Sequence, residues 1–95
     1  MNQYYKQALQ NAQETGDKQG EPNALGNLGN IHDDLGEYHL AIEYYETSFD
    51  MSRVEGDTLK EGITLWDMSI CHFNLGNKTK AIALAEKLLK IREAM

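Results

Sequence analysis

The chain has one cysteine, one proline and no long apolar run. Cys71 cannot form an internal disulfide, and a single thiol excludes a cysteine-ligated zinc site. A reducing compartment follows as the expectation, hence a cytoplasmic location. The apolar stretches last only a few residues, as at Ile82 to Ala85, so no segment is expected to cross a membrane. No charged-then-apolar leader opens the chain, so no secretory signal is expected. Basic residues are scarce: nine Lys and Arg face fifteen Asp and Glu, for a net charge of −6. Without a basic stripe, nucleic acid is not an expected partner. The nucleophile elbow, the phosphate loop and the zinc-binding helix motif are also missing. Ser48, Ser52 and Ser69 fall inside expected helices, without the strand-turn-helix setting of a catalytic serine. The reading is of a non-enzyme that needs no cofactor. What is present is an ordinary apolar share, 41% of 95 residues, enough for one small folded domain and too much for a disordered tail.

Charge is unevenly spread. Residues 1–57 hold three bases and eleven acids, a net of −8; residues 58–95 hold six bases and four acids, a net of +2. Such a dipole could steer a partner or another copy of the chain. It is also what solvated helix faces produce when charges cluster by chance.

A 40-residue offset organises the sequence. Tyr4-Tyr5 recurs as Tyr44-Tyr45, Gly16-Asp17 as Gly56-Asp57, and Leu35-Gly36 as Leu75-Gly76. Glu21, Leu25 and His32 recur as Glu61, Leu65 and His72, and Ala41-Ile42 as Ala81-Ile82. Repeats of this length mark stacked supersecondary units. Residues 1–17 form half a unit, 18–57 a full one and 58–95 another.

Each full unit reads as two helices. Leu25, Leu28, Ile31 and Leu35 recur at three- and four-residue steps, the spacing of one helix face. Gly36 suits the left-handed residue that stops such a helix. The next helix is expected over about 38–54, with Ala41, Ile42, Tyr45, Phe49 and Met51 inward. Asp57 can cap the one after it, which carries Leu59, Ile63, Leu65, Trp66, Met68, Ile70 and Phe73. The last is expected over about 78–93, with Ile82, Ala85, Leu88, Leu89 and Ile91 inward. The opening helix, about 2–14, matches the second helix of a unit. Pro22 costs least in a first turn, which places the start of its helix near Glu21.

Asn27-Leu28-Gly29-Asn30, Leu35-Gly36-Glu37-Tyr38 and Ala41-Ile42-Glu43-Tyr44-Tyr45-Glu46 together resemble a tetratricopeptide repeat. The 40-residue period resembles the longer variant of that family, found in G-protein-signalling modulators and in many bacterial proteins. The resemblance implies an all-α solenoid of antiparallel helix pairs, about five helices in two and a half units. It implies that Gly29 and Ala41 fill the slots where the two helices of a unit touch. It also implies a non-catalytic scaffold that binds a peptide or protein segment on the concave face lined by first helices. The third unit departs from the pattern, with Met68-Ser69 for Leu-Gly and Ala85 where Tyr45 stands.

On that reading the candidate binding residues are Asn23, Asn27, Asn30 and Asp34 on one helix and Ile63, Trp66, Asp67 and Ile70 on another. In this family groove asparagines hold the main chain of an extended peptide, because an amide both donates and accepts. The same row could be merely a wettable face. The apolar stripe could receive peptide side chains, form core beneath the last helix, or touch another chain. The basic clamp that related co-chaperone domains use for terminal carboxylates is absent, since Asn23, Gly26 and Asn27 occupy its region. His32 and His72 share one slot; two ligands on adjacent helices do not complete a metal site, so half-buried, satisfied histidines are expected. Cys71 is expected in the core. Adjacent residues on a helix diverge, so Asp33 and Asp34 do not converge on a cation.

The ends carry the last expectation. Leu84, Leu88, Leu89 and Met95 on one side, and Tyr4, Tyr5 and Leu9 on the other, are expected to leave apolar area bare. Each large side chain left in water forgoes roughly 1.5–3 kcal/mol. That points either to a piece of a longer array or to a homodimer or higher oligomer.

Overall fold

A computed structural model describes residues 2–18 and 20–94. Five helices follow one another: α1 (Asn2–Thr15), α2 (Gly20–Asp34), α3 (Tyr38–Glu55), α4 (Thr58–Asn74) and α5 (Lys78–Ala94). No strand occurs among the described residues. Each helix packs on the one before it and the one after it. The outcome is a slab of 37 × 31 × 14 Å, one helix pair thick in its short dimension. The chain is an all-α helical repeat, as the 40-residue offset led us to expect.

Turn chemistry recurs every 20 residues. Gly16, Gly36, Gly56 and Gly76 all have positive φ, between 68° and 86°. The turns at Gly36, Gly56 and Gly76 end their helices by the same double closure, and the turn at Gly16 shares the bond of wider span, from Asp17 N–H to the Ala12 carbonyl. At the third turn Gly56 N–H donates to the Arg53 carbonyl at 3.1 Å and Asp57 N–H to the Ser52 carbonyl at 2.9 Å. These bonds satisfy carbonyls that the helix end would otherwise leave open.

Helix starts recur as well, every 40 residues. The Asp57 carboxylate accepts from Lys60 N–H at 3.1 Å, and Asp17 accepts from Gly20 N–H at 2.8 Å. α2 therefore begins at Gly20, one residue ahead of the start read from Pro22, because Asp17 caps it as Asp57 caps α4. Pro22 still falls in the first turn, where its missing N–H costs nothing.

The core is built where α3 meets α4 and α4 meets α5. Ala41, Ile42 and Tyr45 from α3 join Leu65, Met68 and Cys71 from α4 and Leu84 and Leu88 from α5. Cys71 is in this core, as expected. Gly29 is where α2 and α3 touch: a Cβ there would lie 2.5 Å from the Tyr45 ring. Ala41 is fully buried beside it.

Two positions of α5 expected inward, Ile82 and Leu89, are exposed. On α4 the stripe Leu59, Ile63, Trp66, Ile70 and Phe73, for which groove, core and chain contact were all open, is exposed too. Their helices turn the Leu65–Met68–Cys71 and Ala81–Leu84–Leu88 rows inward instead. Leu84 and Leu88 are therefore covered, against the expectation that they would be bare; Leu89 and Tyr4 are bare, and Tyr5 and Leu9 are half-buried. Met95 lies outside the described residues.

Candidate functional site

α2 presents Asn23, Asn27, Asn30 and Asp34 as a continuous exposed row. The four are not equivalent. The Asn23 side-chain oxygen accepts from the Lys60 ammonium, which ties α2 to α4. The Asn30 side-chain oxygen accepts from the Tyr45 hydroxyl at 2.6 Å. Asn30 thus keeps its two amide hydrogens free and spends its acceptor on the fold. The side chains of Asn27 and Asp34 stand clear of any bond within the described residues.

Beside this row lies an acidic seam between α2 and α4. Asp33 is half-buried and sits 3.4 Å from the Tyr45 hydroxyl. Asp67, on α4, is half-buried too. Burial, and then the Asp33 charge, push the Asp67 carboxyl up to about 6. Burial also pushes the Cys71 thiol up to about 12, and the Asp33 charge adds to the effect. The Tyr45 hydroxyl is raised by burial and by both carboxylates. In each case burial is the larger cause, because a partly dry seam solvates a negative charge poorly, and the neighbouring carboxylate charge adds to it. The seam is thus a place where a positive group would be stabilised.

The α4 candidates separate. Asp67 turns to the seam with Asp33. Ile63, Trp66 and Ile70 line depressions between α4 and α5. One of these, about 160 Å³, holds Leu59, Ile63, Trp66, Leu88 and Arg92. The other, about 320 Å³, holds Trp66, Ile70, Phe73, Ile82, Ala85 and Lys78. Asn23, Asn27, Asn30 and Asp34 touch neither.

The histidines differ from one another despite sharing a slot. His32 is buried rather than half-buried, because its ring stacks on Tyr44 at 5.4 Å between centroids. Its Nδ1 lies 2.9 Å from a Glu37 carboxylate oxygen, while its Nε2 is buried without a partner. His72 is half-buried, and burial, with Lys80 nearby, lowers its pKa. Among the described residues no group of three or more His, Cys, Asp or Glu is placed to hold a metal ion, and no helix is long and apolar enough to cross a membrane.

Sequence reading named Asp67 and missed its partnership with Asp33. The 40-residue offset held the signal: Asp33 is the counterpart of Phe73, so the two units differ there in charge. It also missed Tyr45 as the group that occupies Asn30. Compared with known proteins, the tetratricopeptide repeat family model matches residues 3–53 and again residues 21–94. No curated protein matches the chain.

Proposed function

We propose that this chain, which belongs to the tetratricopeptide repeat family, holds an extended segment of another protein along the face formed by α2 and α4. Repeats of this family mediate protein–protein interaction. The observation that carries the finer reading is the exposed row Asn23–Asn27–Asn30–Asp34 running beside the Asp33–Asp67 seam. Free amide hydrogens on Asn27 and Asn30 meet main-chain carbonyls; the seam favours a lysine or arginine side chain in the same segment. A cation there would bring the Asp67 carboxyl back toward its ordinary ionised state. Ile63, Trp66 and Ile70 offer apolar contact at the edge of this face. No step of this reading calls for bond-making chemistry, and a binding role in place of catalysis is the one proposed.

The test is selection from a library of random twelve-residue peptides on the purified chain. Selected peptides should carry a basic residue, and Asn27→Ala should weaken them about tenfold, the worth of one well-made hydrogen bond. The variant should keep its helical circular dichroism, because Asn27 supports nothing else. Binders without basic residues, or affinity unchanged in Asn27→Ala, would refute the assignment.

Self-association is a second reading, favoured by the exposed Ile82 and Leu89 on α5. A two-fold pairing of that face would set Lys78 and Arg92 of each copy against a like-charged rim, which counts against it.

A further inference from the structure

The two helix pairs can be compared position by position through the 40-residue offset. In the first pair the Tyr45 ring fills the space over Gly29, and Ile42 and Tyr45 are sealed by α4, which presses Leu65, Met68 and Cys71 onto them. In the second pair Ser69 stands at the Gly29 position, Ala85 at the Tyr45 position and Ile82 at the Ile42 position. The tyrosine ring is gone, and Ser69 and Ala85 line an open apolar depression, a cavity of about 320 Å³. Ile82 is 59% exposed where Ile42 is 6% exposed.

Two features say what would cover this face. The first is its shape. With the smaller depression that shares Trp66, the cavity forms a trough along α4 from Leu59 to Phe73. That is fourteen steps of a helix, roughly 20 Å long. On the preceding pair the equivalent trough is occupied by a helix, α4 itself. The second is charge. Lys78 and Arg92 are the charged residues lining the two depressions, and no acid lines either.

We propose that the α4–α5 trough docks an amphipathic helix of another polypeptide, with acidic flanks and one large apolar side chain. The side chain enters the cavity between Ser69 and Ala85, supplying from outside the ring that Tyr45 supplies within the first pair. Aliphatic residues three and four positions away lie on Trp66, Ile70 and Ile82. Acidic residues on its flanks meet Lys78 and Arg92. This is helix-in-groove recognition with one central anchor. It uses none of the α2 amides.

Trp66 is the single tryptophan of the chain and lines the trough, so its emission reports occupancy directly. The probe is an eighteen-residue synthetic helix with leucine at three- and four-residue steps, one central phenylalanine and glutamate on the remaining face. It should give a saturable blue shift of Trp66 emission. Replacing the central phenylalanine by alanine should weaken binding at least tenfold, and lysine in place of glutamate should weaken it further at low salt. Ala85→Tyr, which fills the cavity from within, should abolish the shift; Ile70→Asp, at a partly exposed position, should do the same if Ala85→Tyr fails to fold. Asn27→Ala should leave it unchanged, which separates this site from the α2 face. Absence of a saturable shift, or a shift indifferent to both the central phenylalanine and Ile70→Asp, would overturn the proposal. So would sedimentation of the chain alone as a dimer that Ile70→Asp dissociates, since the occupant would then be a second copy.

Discussion

In the α2–α3 pair the Tyr45 ring rests against Gly29 and is 1% exposed; in the α4–α5 pair the same two positions hold Ala85 and Ser69 and line an open depression. The backbone is alike in both, with the same turns and the same capping carboxylates ahead of α2 and α4. Their polar seals differ. In the first pair Ser48 donates to the Pro22 carbonyl and Tyr45 to Asn30; in the second Ser69 donates to the Ala81 carbonyl. Interdigitation therefore rests on side-chain choice at a few contact positions, while the helix-pair geometry rests on turns and caps. A repeat can lose its ring and keep its shape.

The largest expected effect comes from erasing that difference. Tyr45→Ala gives the first pair the side chain of the second and should cost about 3–5 kcal/mol, read by urea denaturation. It removes a buried ring, empties the space over Gly29 and leaves Asn30 and Asp33 without its hydroxyl. A cost below about 1 kcal/mol would mean that the two pairs are interchangeable after all.

A smaller effect is expected at Gly29. Alanine there puts a Cβ 2.5 Å from the Tyr45 ring, a buried group with little room to move. Overpacking of this kind costs about 1–3 kcal/mol. Ser69 already carries a Cβ at the equivalent position of the second pair, facing Ala85. The double change Gly29→Ser with Tyr45→Ala should therefore cost less than the sum of its parts, and strict additivity would break the equivalence.

The smallest expected effect separates the pairs by pH. The Asp67 carboxyl sits at about 6 in the folded chain against an ordinary 3.8. The folded state then holds the proton more tightly than the unfolded chain, so ionising Asp67 lowers stability as pH rises from about 4 to about 6. Above that range the loss is complete. The thermal midpoint of Asp67→Asn should gain on that of the native chain across this window and run parallel to it from pH 7 to 8. His72, whose pKa is lowered, works the other way and loses stability as pH falls below its ordinary value near 6.5. It is present in both chains, so the difference between them isolates Asp67.

Much of the fold was legible before any coordinates. The offset linking Gly16-Asp17 to Gly56-Asp57 pointed to the turns, and Asp57 to one cap, since glycine and aspartate act there through backbone conformation and local hydrogen bonds; at Asp17 the same cap was outweighed by Pro22, which favours a later start. Gly29 and Ala41 were legible through the family resemblance, whose pattern sets small residues where the two helices of a unit touch. The exposure of Ile82 and Leu89 was not legible, and for Ile63, Trp66 and Ile70 the sequence left groove, core and chain contact open. An apolar residue at helical spacing looks the same whether its face is covered or open, and α4 has such residues on more than one face. The α2 row was legible as polar and periodic. That Asn23 and Asn30 give their acceptors to Lys60 and Tyr45 was not, because those bonds join residues 37 and 15 positions apart.

By itself the sequence determined the helices, their turns and the repeat, because each depends on residues a few positions apart or on one recurring interval. The tertiary structure alone decided which apolar row of α4 went inward, which carboxylates share the α2–α4 seam, and where a ring is missing between α4 and α5. Those outcomes depend on which helix lies across which, and packing against a neighbour is a property of two surfaces that neither helix carries alone.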